Sequence, residues 1–447
     1  MYNIRQAAEK VLALAVEKGQ KDVDVFAERK EFLEVNILDE KVEKIEQSTS
    51  LGLGIRVINE GRTGIASTER LTLESISNTF NNACENSKIQ DSTKVVMLNA
   101  PKEIPDTDLL GIYNSEIDDL TTEELVEYGM SIECSAKSAD KRVFSIPYLG
   151  VARGKNEYFL FSSRGVSHIH KSNEVSAWCG PLLMDGDSRK SGLHFLHRRE
   201  LDKEKGKQIG IEAVRKAAEM LNAKPISSCK LPVVLDEYTA PKLLGMFFGA
   251  FYAEFAQRGM SRLESKLGKK ISISGITLLD DPHLLGGNRS CFLDAEGCLT
   301  SPLPIIEDGV FCNFLYNVES ASKEGKISTG HAVRSFSGGI STRFHNLIWP
   351  KGDQSLEELC TMTKKCLLVT KLEGQSGCNT VSGDISIGVQ GYLVENGHKV
   401  QPVESVTLAG NFFDILMNIK GSGNIYQPEI SHCFIPALLI EGMMISG

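Results

Sequence analysis

Residues Ser382 to Gly397 read Ser-Gly-Asp-Ile-Ser-Ile-Gly-Val-Gln-Gly-Tyr-Leu-Val-Glu-Asn-Gly, and Thr407 to Ile419 read Thr-Leu-Ala-Gly-Asn-Phe-Phe-Asp-Ile-Leu-Met-Asn-Ile. Ile385, Ile387, Val389 and Leu393 fall on odd positions, the period of a strand with one buried face. Asn396-Gly397 tolerates positive φ at both central positions of a type I′ turn, so the return strand through Val400 and Val403 is expected to pair antiparallel. Pro402 cannot donate to a ladder, which marks that return strand as an edge. Asn411 is a helix cap with Asp414 in the first turn, and Phe412, Ile415, Leu416 and Ile419 make an i, i+3, i+4, i+7 face. The block therefore specifies a hairpin followed by a capped helix.

Working back toward the N-terminus, Pro232-Val233-Val234-Leu235 is a short apolar run that suits a buried strand. Met1 to Lys18 carries Ile4, Ala7, Ala8, Val11, Leu12 and Ala15 on one side of an amphipathic helix, unlike a signal peptide. Val23-Asp24-Val25, then Leu33, Val35 and Ile37, then Leu51 to Val57 read as three strands of an antiparallel meander. Ile76, Phe80 and Ala83 form a helical stripe. Residues 89–120, with Pro101 and Pro105, read as a long connection. Thr121 to Glu124 is a capping box for a helix with Leu125, Ile132 and Ala136 on its face. Strands are expected from Val143 to Met184, broken at Arg153 to Asn156 and at Ser163 to Gly165, before a helix bearing Val214, Ala217 and Leu221. This order predicts an α+β protein with mixed, largely antiparallel sheets and packed helices. Its expected domains are an N-terminal α+β unit at 1–220, with a possible further boundary in 89–120, and a β-rich unit at 221–447.

The chain has 447 residues, of which 41% are hydrophobic and 24% charged, proportions usual for a globular protein. A net charge of −9 disfavours direct nucleic-acid binding. The best basic patch, His197-Arg198-Arg199 with Lys203, Lys205 and Lys207, reads as the solvated start of a helix. No window approaches the roughly 20 uncharged apolar residues of a membrane span. Eleven scattered cysteines without Cys-x-x-Cys spacing fit free thiols in the cytoplasm.

The block from Ser382 resembles the C-terminal signature of the TldD/PmbA family, known both as modulators of DNA gyrase and as subunits of a bacterial metalloprotease. Leu293-Asp294-Ala295-Glu296-Gly297, Glu307-Asp308-Gly309-Val310, Asn313-Phe314-Leu315-Tyr316 and Ser328-Thr329-Gly330 resemble that family's landmarks, in its order. The resemblance implies a two-domain architecture. In the family's protease branch, the segment after the strand at Val234-Leu235 carries His-Glu-x-x-x-His, whose histidines bind zinc and whose glutamate acts as base. The matching positions here are Gly245, Met246 and Ala250, and a further cysteine ligand corresponds to Cys433. The resemblance thus points to the PmbA branch, also called TldE, which lacks the metal motif. The run from Pro241 to Ala256 is apolar on nearly every side and reads as a packed helix, in which Gly245, Gly249 and Ala253 would let another backbone approach.

Other groups offer weaker chemistry. His168 and His170 share one strand face, and His194 and His197 would be neighbours on a helix; both pairs have ligand-compatible spacing. Asp280-Asp281-Pro282-His283 has two carboxylates and an imidazole that could bind a cation, although Asp before Pro also forms turns. Gly286-Gly287-Asn288-Arg289 could hold an anion through its amides and Arg289, or be a surface loop. Cys298 and Cys378 read as inert thiols. Gly-x-Ser-x-Gly and phosphate-loop motifs are missing.

By the resemblance, the expected function is a non-catalytic subunit of a cytoplasmic TldD-type metalloprotease acting on unfolded peptides or peptide precursors. It would hold no cofactor itself, pair with a zinc-bearing TldD-like homologue and form a homodimer when isolated. An exposed strand edge at Pro402 could extend a substrate peptide. The alternatives are a hydrolase active alone, through a relocated metal or a metal-independent site, and a homodimeric peptide-binding module.

Overall fold

The computed structural model describes residues 2–93, 95–374 and 377–447, with the Lys203 side chain also outside the described set. The fold is α+β. In the N-terminal half, a seven-stranded antiparallel sheet runs Arg62–Thr68, Lys41–Asn59, Asp22–Leu38, Val143–Ser162, Ser167–Asp185, Ser188–Ser191, with His194–Arg198 also on Ser167–Asp185. It takes strands from both sides of the 89–120 connection. Helices Ile4–Glu17 and Leu73–Ile89 cover one end of the sheet around Val23, Val25 and Phe80. Helices Thr122–Ala139 and Lys203–Glu219 cover the other end around Val35, Ile132 and Ala213. The Thr121 and Glu124 side chains form the expected capping box.

Two expected breaks are not there. Asp22–Leu38 is one strand, not two, and Val143–Ser162 runs through Arg153 to Asn156. The charged stretches that looked like turns lie side by side, Lys30 opposite Asn156 and Glu31 opposite Lys155. They occupy the middle of the sheet between the two helical layers, where polar side chains can face water without interrupting the ladder.

The C-terminal half is built on a ring. Strands His398–Asn411, Asp384–Glu395, Lys365–Glu373, Cys229–Leu235 and Leu438–Ser446 pair in that order, and Thr407 to Ala409 pair with Ser446 to Met444 to close it. Asn396 and Gly397 have φ of 50° and 80°, as the I′ turn requires. Asn411 caps Phe412–Asn418 by accepting the Phe413 N–H at 3.0 Å. Pro402, however, is not on an open edge. Lys224 donates its N–H to the Pro402 carbonyl at 3.2 Å and accepts from Glu404 at 3.4 Å. The chain covers that edge itself, which removes it as a place for peptide addition.

The halves are joined by a buried charge network. Arg56 donates through Nε to Asp24 at 2.7 Å and through Nη1 to Glu296 at 2.8 Å. Arg334 meets the other Asp24 oxygen at 2.8 Å. Burial raises the Asp24 pKa, but the two guanidiniums outweigh that effect and hold it below the ordinary value. Glu296 also accepts the Val318 N–H at 2.8 Å. Asp294 accepts the N–H groups of Glu296, Cys298 and Ala332, which fixes the loop that presents Glu296.

Candidate functional site

Asp236 starts the helix Thr239–Gly245 by accepting the N–H groups of Tyr238 (3.1 Å) and Thr239 (2.7 Å) and the Thr239 hydroxyl (2.8 Å). The expected long helix stops at Gly245. A 3-10 turn, Phe248–Phe251, follows, and then a separate helix, Ala253–Gln257. Gly245 and Gly249 each weaken a helix by about 1 kcal/mol relative to alanine. Leu315 then takes the backbone into extended pairing, donating to Phe251 at 2.9 Å and accepting from Ala253 at 3.0 Å. Among the described residues no second backbone packs on the glycines: a Cβ on Gly245 would meet nothing within 4 Å, and one on Gly249 would face the Phe255 ring at 3.0 Å.

Gly245 and Met246 are half-buried and Ala250 is buried. Cys433 remains beside this helix, its Sγ 3.8 Å from the Pro241 carbonyl one turn before Gly245. Burial pushes its thiol up to about 12. A protonated thiol with glycine, methionine and alanine at the other positions does not fit zinc, which needs imidazole or thiolate donors. Because Gly245 faces space and Ala250 does not, Gly245→His should change unfolding free energy by less than about 1 kcal/mol. Ala250→His should cost about 1–3 kcal/mol by overpacking. Urea unfolding of both variants checks this, and equal costs would contradict the packing described.

Asp280, Asp281 and His283 do not converge. Asp281 accepts the His283 N–H at 2.8 Å in the turn, and His283 Nε2 lies 3.1 Å from the Thr300 hydroxyl. Asp280 instead meets two histidines far away in sequence. Its Oδ2 is 2.7 Å from His331 Nε2, and both its oxygens accept the His345 N–H at 3.0 Å. One ligand atom from each of the three buried residues lies within 4.8 Å of the others. His345 Nε2 lies 2.8 Å from the Gly330 carbonyl, which assigns the proton to that nitrogen, and Nδ1 faces the Cys291 thiol at 3.5 Å. His331 Nδ1 contacts the Thr329 hydroxyl at 2.8 Å. With the imidazole nitrogens engaged in this way, the arrangement fits a hydrogen-bonded knot; a cation would have to displace the Asp280–His331 contact.

His168 and His170 do share a strand face, with rings 6.4 Å apart, and His170 stacks on Tyr158 at 4.3 Å. Both are buried; His168 Nε2 and His170 Nδ1 have no partner, and burial drives His170 down to about 3. They join no group of three ligands among the described residues. His194 and His197 lie on a strand, not a helix, and separate: His194 approaches Lys216 at 3.2 Å and His197 approaches Glu174 at 3.3 Å. His197 to Arg199 therefore do not open a helix. Arg198 lies 3.7 Å from Glu429, while Arg199 donates to the Ile112 carbonyl at 2.7 Å. Lys205 and Lys207 pair with Glu200 and Glu204, and the Lys203 side chain lies outside the described residues.

The amides of Gly286, Gly287 and Asn288 are given to the carbonyls of Leu110, Leu284 and Ser431, so they form no anion cradle. The Arg289 guanidinium lies 4.7 Å above the Phe344 ring and donates to the Phe344 carbonyl at 3.3 Å. Cys298 is half-buried against carbonyls, with its thiol pushed up to about 12 chiefly by desolvation, and Cys378 is half-buried too. The Asp280–His331–His345 knot was not readable in advance, because its members have no diagnostic spacing. The recurrence of His331 and His345 on either side of the Ser341–Thr342 strand was the only hint.

Three profiles of one family match in order: PmbA/TldA metallopeptidase domain 1 at residues 23–87, the central domain at 115–221 and the C-terminal domain at 228–447. The chain is 28% identical over 457 residues to Metalloprotease PmbA of Escherichia coli O157:H7, covering 99% of this chain and 97% of the relative. A Metalloprotease PmbA homolog of Haemophilus influenzae is 28% identical over 446 residues, covering 99% and 96%. Among solved structures, a candidate modulator of a DNA gyrase from Thermotoga maritima superposes with a TM-score of 0.89 at 25% identity, covering 99% of this chain and 100% of that one. TldE from Thermococcus kodakarensis shares the fold, with a TM-score of 0.85 at 23% identity and coverage of 99% and 100%. The order of the signature blocks, the closed ring that carries the one from Ser382, and these full-length similarities agree: the chain belongs to the PmbA/TldD metallopeptidase family.

Proposed function

We propose that this chain is the zinc-free subunit of a two-component cytoplasmic peptidase, paired with a homologue that carries His-Glu-x-x-x-His. The observation that carries the reading is the set Gly245, Met246 and Ala250 beside a protonated Cys433 in an otherwise complete family fold. The partner would supply zinc and the base; this chain would complete the enclosure around an unfolded peptide. In isolation it would pair with itself through the same surface. Free thiols throughout and a net charge of −9 support a cytoplasmic protein that does not bind nucleic acid directly. Among the described residues, no helix is long and apolar enough to cross a membrane.

The purified chain should contain no stoichiometric zinc and leave unfolded peptides uncut. Co-expression with a His-Glu-x-x-x-His homologue from the same cell should yield a co-purifying complex whose cleavage is abolished by a chelator. One rival is a hydrolase with its own relocated metal, which the Asp280–His331–His345 group would hold only by giving up the Asp280–His331 contact. Stoichiometric zinc and chelator-sensitive cleavage by the isolated chain, both lost in His331→Ala, would establish that rival instead. A stable homodimer that ignores every such homologue would favour a peptide-binding module.

A further inference from the structure

Lys216, in the last turn of the helix Lys203–Glu219, reaches the strand His194–Arg198. Its Nζ lies 3.2 Å from His194 Nδ1 and 5.1 Å over the Tyr238 ring. Tyr238 meets the Phe195 ring edge-on at 6.3 Å, and Lys242 Nζ lies 5.6 Å over that same Phe195 ring. Two amines and an imidazole, drawn from three elements of the fold, are thus gathered round two aromatic rings.

The carboxylates nearby are committed elsewhere or stand off. Asp236 accepts the Tyr238 and Thr239 N–H groups and the Thr239 hydroxyl. Glu212, one turn before Lys216 on its helix, pairs with Arg215 at 2.8 Å. Glu237 is half-buried, and its Oε2 has no partner. Among the described residues, neither Lys216 nor Lys242 makes an ion pair with any of them. Asp236 draws on both lysines only from beyond that distance.

An ammonium that donates to an imidazole nitrogen leaves room for one proton between them, not two. A second would set two cations 3.2 Å apart in a half-buried place, and the charges of Arg215 and Lys242 add to the repulsion on Lys216. Burial also brings Lys216 below the ordinary lysine value, which Asp236 only partly offsets. Lys216 therefore becomes a free amine more readily than an exposed lysine, with His194 Nδ1 in contact to take the proton. A desolvated lysine beside other cations and an acceptor is how proteins make an amine nucleophilic.

We propose that Lys216 captures a small aromatic aldehyde as a Schiff base between the Phe195 and Tyr238 rings. The ammonium passes one proton to His194 Nδ1, and Nζ then forms a bond to the carbonyl carbon. A second N–H proton moves to the carbonyl oxygen, giving the carbinolamine. The proton held on His194 returns to that hydroxyl as its C–O bond breaks, and water leaves. The iminium keeps the charge that the ammonium had, His194 is restored, and no oxidant or reductant is consumed.

The test treats the purified full chain with benzaldehyde and cyanoborohydride at pH 7, and locates the reduced adducts by peptide mass spectrometry. Lys216 should be labelled at least about tenfold faster than Lys41 and Lys266, which are exposed; one pKa unit changes the free-amine fraction by that factor. Its rate should also level off at a lower pH than theirs. His194→Gln should slow Lys216 by about the same factor and leave Lys41 and Lys266 unchanged, because an amide oxygen accepts from the ammonium but cannot take its proton. If that variant melts early, the wild-type comparison among lysines and its pH profile decide alone. Equal rates at the three lysines, an unlabelled Lys216, a Lys216 profile that follows that of Lys41, or a well-folded His194→Gln that labels as fast as the wild type would each overturn the proposal.

Discussion

Arg56→Ala should destabilise the chain by about 3–5 kcal/mol, the usual cost of removing one member of a buried ion network. Arg56 and both its partners have side chains only 3% exposed. Without the guanidinium, among the described residues Glu296 keeps only the Val318 N–H, and Asp24 keeps only Arg334. Removing charge in balance should cost far less: Arg56→Met combined with Glu296→Leu leaves no orphaned carboxylate at that end of the network. Urea unfolding of the single and double variants decides the matter. A loss under about 1 kcal/mol for Arg56→Ala would mean that water reaches the network and the two halves are joined by packing alone. Because Asp24 and Arg56 come from the N-terminal sheet and Glu296 and Arg334 from the other half, Arg56→Ala should also speed proteolysis of the 89–120 connection.

Phe412→Ala should cost a similar amount, about 3–5 kcal/mol, through lost burial and the cavity left behind. The ring is fully buried, stacked on Phe247 at 5.0 Å and edge-on to Phe248 at 6.1 Å. Those two phenylalanines are the first bulky residues after Gly245 and Met246, so the damage should spread to the broken helical segment. Phe412→Leu keeps most of the volume and should cost less than about 1.5 kcal/mol. Hydrogen exchange should quicken at residues 246–251 in Phe412→Ala while the N-terminal sheet stays protected. Uniform quickening, or none, would separate that segment from the capped helix.

What could be read from the sequence was local. The hairpin at Asn396-Gly397, the Asn411 cap and the Thr121 capping box each depend on residues within a few positions of one another, and each forms as expected. What could not be read depends on neighbours supplied by the fold. Arg153 to Asn156 look like a break until they are found paired with Lys30 to Leu33 in a sheet. Pro402 looks like an edge until Lys224 covers it. Gly245 ends a helix because Leu315 claims the backbone beyond it. At the candidate site, sequence alone located Gly245, Met246, Ala250 and Cys433 and singled out Arg289 and Asp280. It missed His331 and His345, which reach Asp280 only across turns and strands.

The ring of the C-terminal half has a bearing on synthesis. Its strand Cys229–Leu235 lies between Lys365–Glu373 and Leu438–Ser446, both made more than a hundred residues later. During translation that apolar strand waits with both edges bare, and its second edge is covered only when Leu438 onward has left the ribosome. A chain halted before that point would present an open, hydrophobic sheet, the template on which strands of other molecules add. Closure thus acts as a check on chain length: only a molecule translated past Leu438 stops being an invitation to aggregate.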